Sequence, residues 1–484
     1  MARRPAGRFI AWFHPDRGGN PAGLQEQLYG AIRRAVLAGE LGPGERLPSS
    51  RALAVDLGLA RNTVVAAIDR LVAEGYLESR RGAGVFIASD LPPEGNPQRQ
   101  AHSPGLSRRA GAFPAVHAEG VLKTAPSLLA FGQPALDLFP IELWRRLSAQ
   151  VLRRQPEAAL GPGDARGLPE LRVALARYLA ETRGVVCTPE TVVIVSGAQQ
   201  ALDLIGRLLL DPGDTAAVED PGYIGAREAL AGVGARLLPV PVDDQGFDPA
   251  AITAAPTTPK LAMLTPSHQF PLGMTLPLAR RLALLNDARE RGFWIVEDDY
   301  DCEFRYGSPP IQALQGLDGG SRVLYVGTFS KALFPGLRLG YVVLPPALVG
   351  DFLKLKATAD GYAPGWSQAV LAAFIAGGHM AQHVRRMRTL YRRRRLALLE
   401  ALDRHAGGPL RPRRSEAGLH LVAEFVDGRD DRMAAEKAVA AGIGAVPLSR
   451  YAIARQLSGL LLGFAATREE QIDRAVQRLV AALR

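Results

Sequence analysis

The chain has 484 residues, 58 Lys and Arg against 48 Asp and Glu for a net charge of +10, and is 47% hydrophobic and 22% charged. That length exceeds one ordinary core and fits roughly three folding units. Nothing in it approaches the ~20 consecutive apolar residues of a membrane span, the stretch 9–16 is too short for the apolar region of a signal peptide, and two cysteines, Cys187 and Cys302, make no disulfide framework, which predicts a cytoplasmic protein.

The positive charge permits nucleic-acid binding without establishing it. Residues 1–90 carry 12 Arg, no Lys and 9 acidic residues, about +3. Residues 1–19 read as an N-terminal extension. A compact helical segment follows over 20–88. Leu24, Leu28, Ile32, Val36 and Leu37 form a helical stripe over Leu24–Leu37. A turn at 41–48 precedes a second helix, Arg51–Asp56, capped by Ser49 or Ser50 and ended by Gly58. A third helix is predicted over Arg61–Glu74, with Val64, Ile68, Leu71 and Val72 inward. Two helices around a Gly-containing turn make a helix-turn-helix, whose second helix meets base edges at its N-terminal end. Arg61, Asn62 and Thr63 occupy that end. Residues 75–87 read as a β-hairpin with a basic tip, Arg80-Arg81-Gly82, suited to phosphate or minor-groove contact.

Residues 89–125 are Pro-, Gly- and polar-rich without apolar periodicity and read as a linker. From 126 to 484, short apolar runs alternate with helical segments: Val192–Val195, Thr215–Val218, Leu261–Leu264, Trp294–Val296 and Val323–Val326. This predicts an α/β unit with a parallel sheet.

Three strand ends carry chemistry. After Val323–Val326 stand Thr328, Phe329, Ser330 and Lys331. A lysine at such an edge lies in the ligand crevice of an α/β sheet and can form a Schiff base with pyridoxal 5'-phosphate (PLP). Arg338 and the Ser330 hydroxyl suit a phosphate. After Trp294–Val296, Asp298 can keep the pyridine nitrogen protonated and Tyr300 can hydrogen-bond the 3' oxygen. Gly197, Ala198 and Gln199 precede a helix predicted over Ala201–Leu210 and offer backbone N–H groups to the phosphate. Tyr223 can stack on the ring. No metal site is predicted.

Several strings carry a family resemblance. Residues 47–54, 61–64, 71–77 and 82–87 resemble the GntR-type winged helix. In that family the positions matching Arg51, Arg61, Thr63 and the wing contact double-stranded DNA. Glu219-Asp220-Pro221-Gly222-Tyr223, Thr265-Pro266-Ser267-His268-Gln269-Phe270-Pro271 and Glu297-Asp298-Asp299-Tyr300-Asp301 resemble fold-type I PLP aminotransferases, and most of all the aminotransferase-like domain of MocR/GabR-type regulators. The resemblance implies a winged helix-turn-helix joined to a mainly parallel sheet with helices on both faces and a smaller C-terminal α+β subdomain. It also implies a homodimer that regulates transcription and senses PLP or the aldimine of an amino compound through Lys331.

The chain departs from the aminotransferases at two places. Phe270 stands where they usually hold an asparagine beside the 3' oxygen, and phenylalanine donates no hydrogen bond. Leu460-Leu461-Leu462 stand near the point where they commonly hold an arginine for the substrate carboxylate, and a leucine leaves that carboxylate unpaired. Arg227 is one possible substitute. The departures favour PLP itself as the signal over an amino compound. The alternatives are an active aminotransferase with an accessory DNA-binding domain and a DNA-binding protein on a dead scaffold. Two features stay open: the run from Arg385 to Arg395, as a second DNA surface or as a solvated or dimer-facing helix, and His268, as a pocket neighbour or as packing.

Overall fold

The computed structural model describes residues 13–16, 22–90, 105, 127–307 and 311–484. Apart from Ser89, Asp90 and Gly105, the linker read over 89–125 lies outside the described residues. The chain divides into two compact units, Met1–Gly105 and Leu106–Arg484.

The first unit holds α1 (Leu24–Leu37), α2 (Ser50–Leu57), α3 (Arg61–Ala73) and a hairpin of β1 (Leu77–Arg80) and β2 (Gly84–Ile87). Ser49 is the residue that caps α2: its hydroxyl accepts from the Ala52 N–H at 3.2 Å. Gly58 ends α2 at φ 62°, in the left-handed region that glycine enters without a Cβ clash. The small core is built from Leu28, Ile32, Leu53, Val64, Ala67 and Leu71. Phe13 joins it from the segment read as an extension. Each of these Leu, Ile, Val and Phe side chains, fully buried, contributes about 1.5–3 kcal/mol of transfer free energy.

The second unit is built on an eight-stranded sheet ordered β3-β10-β9-β8-β7-β4-β5-β6. These strands are β3 (Val192–Val195), β4 (Thr215–Asp220), β5 (Arg236–Asp243), β6 (Gly246–Phe247), β7 (Leu261–Leu264), β8 (Trp294–Asp299), β9 (Val323–Thr328) and β10 (Gly340–Val343). The five strands β5, β4, β7, β8 and β9 pair in parallel. β10 runs antiparallel to both β9 and β3, so β3 points the same way as the parallel set. The C-terminal ends of β3, β4, β7, β8 and β9 therefore share one edge, where open α/β sheets bind ligands. Continuous apolar strands demand cover on both faces. Alternate residues meet it: Val192 and Ile194 pack into one core, Val193 and Val195 into another.

A second sheet, ordered β11-β12-β14-β13, is antiparallel throughout: β11 (Leu410–Pro412), β12 (His420–Phe425), β13 (Val446–Pro447) and β14 (Gly459–Gly463). It shares a core with the long helix His379–His405 and the C-terminal helix Glu469–Leu483. Among the described residues, no helix is long and apolar enough to cross a membrane.

Candidate functional site

On the first unit the DNA-facing candidates are surface residues on a buried frame. Val64, Ala67, Ile68 and Leu71 turn one face of α3 into the core. That leaves Arg61 and Asn62 exposed and Thr63 half-buried at its first turn. Arg51 is exposed at the start of α2. Arg81 and Gly82 are exposed at the hairpin tip, Gly82 at φ 77°. Arg80 differs from Arg81. Its guanidinium lies 4.5 Å from the centre of the Phe86 ring and 3.4 Å from Glu78, so part of its charge is engaged locally. Sequence reasoning missed Arg46. This exposed side chain lies along the wing, 3.1 Å from where a Cβ on Gly84 would stand, and its backbone bridges Phe86. The signal was its place just ahead of Leu47-Pro48-Ser49.

On the second unit the shared strand edge gathers residues from six distant segments. Lys331, three residues past β9, is partly buried and donates from Nζ to the Gly132 carbonyl at 2.8 Å. Gly132 has φ 73°, and a Cβ there would stand 3.0 Å from that nitrogen. Burial pushes the Lys331 ammonium down, offset in part by Asp301 and Asp298. A more readily deprotonated amine is a better nucleophile. Gly132 was invisible in the sequence, since 199 residues separate it from the lysine.

Asp298 lies on β8 and is buried, with Oδ1 lacking any hydrogen-bond partner among the described residues. Burial, then the neighbouring Asp299 and Asp301, raises its carboxyl to about 7. Asp299 is neutralised separately by Arg183 at 2.8 Å, and Tyr325 donates to it at 2.5 Å. Glu219 on β4 is raised to about 8 by burial and accepts from the Thr265 hydroxyl at 2.6 Å. Asp298 thus differs from Asp299 and Glu219 in presenting an unmet acceptor, one that a protonated pyridine nitrogen could meet; Asp301 Oδ2 is the other buried carboxylate oxygen here without a partner among the described residues.

The residues expected at a phosphate also come together. The helix after β3 spans Ala198–Leu209, three residues earlier than the predicted start at Ala201. The difference follows from Gly197, which takes φ 116° as N-cap and lets the chain turn into the helix at once. Ala198 and Gln199 therefore occupy the first turn, where N–H groups have no intrahelical acceptor. The Arg338 Nη1 lies 4.0 Å from where a Gly197 Cβ would be. Arg338 has φ 50°, a left-handed conformation that costs a non-glycine residue on the order of 1 kcal/mol. Its guanidinium makes no hydrogen bond or ion pair among the described residues. Thr328 Oγ1 accepts from the Ser330 N–H at 3.2 Å and lies 3.1 Å from the Ser330 hydroxyl. Behind this cradle, Gln200 accepts from the Ser196 N–H at 2.8 Å and donates to Asp360 at 2.7 Å. Asp360 also pairs at 2.7 Å with Lys356, a fully buried ammonium that sequence reasoning did not single out.

An aromatic wall closes the site. Phe270 packs edge-on against Tyr223 at 5.9 Å, Tyr300 at 5.8 Å and Tyr451 at 5.0 Å between ring centres. Leu461, Val422 and Leu448 complete this buried cluster. Tyr223 and Tyr300 are held as neutral phenols, mainly by burial and then by nearby carboxylates. Tyr300 contacts His268 Nδ1 at 2.9 Å, which makes His268 a pocket neighbour. Arg227 does not stand in for a carboxylate clamp. Its Nη1 donates to the Ala452 carbonyl at 3.2 Å and its Nη2 to the Arg450 carbonyl at 3.0 Å, tying down the loop beside Tyr451.

The basic run on His379–His405 is largely engaged in packing. Arg394 and Arg395 are buried and donate to the carbonyls of Ala465 and Ser415. Arg386 donates to Leu138 and Arg388 to Glu303. Val384, Met387 and Leu399 are buried on this helix, whereas Leu396 is 42% exposed and two arginines take buried positions.

Comparison with known proteins agrees with both units. Residues 24–87 match the gntR family of bacterial regulatory proteins and residues 128–479 match aminotransferase class I and II. The probable rhizopine catabolism regulatory protein MocR of Rhizobium meliloti is 40% identical over 95% of this chain and 93% of its own length. The transcriptional regulator TauR of Rhodobacter capsulatus is 38% identical over 80% and 81%, and the pyridoxine biosynthesis regulator PdxR of Corynebacterium glutamicum 32% identical over 83% of each. Among solved structures, the kynurenine aminotransferase of Pyrococcus horikoshii, in complex with pyridoxamine phosphate (PMP), superimposes with a TM-score of 0.72 at 31% identity, covering 78% of this chain and 96% of that one.

Proposed function

The chain belongs to the MocR-type transcriptional regulators, a gntR-family head with a class I and II aminotransferase domain, and from that premise we propose that its second unit reports the presence of PLP rather than of an amino acid. The observation that carries this is the character of the wall opposite Lys331. Where an amino-acid carboxylate needs a cation, the chain has Leu461 within a buried cluster of Phe270, Tyr451 and Val422. Arg227, the cation considered as a replacement, is bound to two backbone carbonyls. A carboxylate in that cluster would be desolvated without a partner, at a cost of several kcal/mol.

PLP, when bound, supplies an aldehyde for the Lys331 amine and an electron-withdrawing ring. The remaining roles belong to this chain. Asp298 Oδ1 accepts from the protonated ring nitrogen. Tyr300 donates to the 3' oxygen. Tyr223 lies against the ring. The N–H groups of Gly197, Ala198 and Gln199, the Ser330 and Thr328 hydroxyls and the Arg338 guanidinium hold the phosphate. Arg51, Arg61, Asn62, Thr63, Arg80, Arg81 and Gly82 meet the DNA operator. A cytoplasmic homodimer fits this reading. The adjoining helices Ile141–Arg154, Pro156–Leu160 and Gly365–Ala376 expose the apolar side chains of Ile141, Leu160 and Trp366, which a partner subunit could cover. The PdxR relative, named for pyridoxine biosynthesis, points the same way as the apolar wall.

DNA binding to fragments upstream of the chain's own coding region tests the proposal. Adding PLP changes operator affinity, Lys331→Ala removes that response, and amino acids at equal concentration leave affinity unchanged. A response that requires an amino acid, or repeated turnover of an amino donor, overturns it.

A further inference from the structure

We infer that His268 is a positioning residue that directs the Tyr300 hydroxyl proton toward the cofactor, in place of the second donor that Phe270 cannot supply. The inference rests on the proposed PLP site. His268 is buried between the strand edge and the second sheet. Its Nδ1 lies 3.0 Å from Asp301 Oδ1 and 2.9 Å from the Tyr300 hydroxyl, and its Nε2 lies 3.2 Å from the Ser415 hydroxyl. The space is shaped for this ring. Gly418, at φ 83°, would drive a Cβ into His268 Cε1, and Gly273, at φ 88°, would bring one to 3.3 Å from Nε2.

Asp301 decides the tautomer. A carboxylate oxygen facing an imidazole lone pair is repulsive, so Nδ1 carries the hydrogen and donates to Asp301. Nε2 is then an acceptor, which the Ser415 hydroxyl meets. With Nδ1 protonated, Tyr300 has no acceptor on the histidine. Its hydroxyl proton, unable to point at the ring, turns outward, toward the 3' oxygen. In the opposite tautomer Tyr300 would donate into the ring and be lost to the cofactor. The groups facing His268 are Asp301 and Tyr300 beyond β8, Ser415 before β12, and His420 on β12 with ring centres 5.8 Å apart. His420 accepts nothing from His268. Its Nε2 pairs with the Pro271 carbonyl at 3.0 Å, and burial drives its pKa down to about 4, so it stays neutral beside the relay.

The visible absorbance of the PLP-loaded full chain, titrated from about pH 5 to 9, reads this directly. A donor at the 3' oxygen stabilises its anion, so the proton shared with the Lys331 nitrogen leaves at lower pH. Removing the donor raises the midpoint. Tyr300→Phe, His268→Leu and Asp301→Asn are each expected to raise it by about one pH unit, a tenfold change in proton affinity. His268→Asn, whose carboxamide can place an N–H toward Asp301, is expected to stay within about 0.3 unit of wild type. Asp301→Asn is nearly isosteric and carries the comparison if His268→Leu does not fold. A midpoint moved by Tyr300→Phe but by neither His268→Leu nor Asp301→Asn overturns the role of His268 and leaves the PLP site standing. A wild-type chain that binds PLP under no condition, and so shows no visible band, overturns both.

Discussion

The two units place chemistry in opposite ways. The winged helix keeps a small apolar core and puts its working groups outside, on two consecutive helices and a hairpin within about 30 residues of sequence. Arg51, Arg61 and Arg81 owe their positions to local helix and turn geometry. In the second unit the candidate groups lie along one edge of the sheet, where Gly197, Tyr223, His268, Asp298 and Lys331 come together because five strands end there. Local structure is enough for the first arrangement. The second needs the whole sheet, and it brings carboxylates into a dry interior where their protonation couples to stability.

The largest effect that tests this contrast is on the head's core. Leu71→Ala, at a fully buried position of α3, is expected to destabilise the head by about 3 kcal/mol through the cavity it leaves. Calorimetry should show the loss in the head's transition alone. A matching fall in the second unit's transition would break the picture of two separate cores.

A smaller effect separates the units by pH. Asp298 is raised to about 7 in the folded state, above its unfolded value near 3.9. The folded chain then binds more protons than the unfolded one between those values, so its stability falls as pH rises from about 4 to 7. Asp298→Asn should flatten that part of the apo protein's denaturation profile, and PLP should flatten it too by supplying a donor. Glu297 and Glu303, both raised to about 7, and Glu219, raised to about 8, keep part of the slope. In the head, hydrogen bonds from Tyr29 and Arg70 hold the Glu74 carboxyl below its ordinary value, so the head should show no such fall.

The smallest effects are on the head's surface. Arg61→Ala should weaken operator binding by about 1–3 kcal/mol and relax base preference at one position. Arg81→Ala should weaken all sequences alike and lower the salt dependence by about one ion. Filter binding across salt concentrations distinguishes them. Loss of base preference in Arg81→Ala would move the wing from phosphate contact to base readout.

The sequence alone determined the elements, because their signals are local. Apolar periodicity marked Leu24–Leu37 to the residue, and short apolar runs marked Val192–Val195, the strand that holds Asp298 and the strand before Lys331. It also pointed to Lys331, Asp298 and Arg338, since Asp298 stands at the end of one apolar run, Lys331 just past another, and Arg338 seven residues beyond that lysine. Tertiary structure alone decided what those residues meet. The Gly132 carbonyl reaches Lys331 across 199 residues, and His268 reaches Ser415 across 147. Arg394 and Arg395, polar in any one-dimensional reading, became buried because carbonyls of Ala465 and Ser415 came within reach of their guanidinium groups. Arg227, a free cation on paper, was drawn to the loop at 450–452. Periodicity reports which side of an element faces inward. It carries no information about which polar partner waits there, and on that partner depends whether a buried charge is structural, reactive or absent from the site.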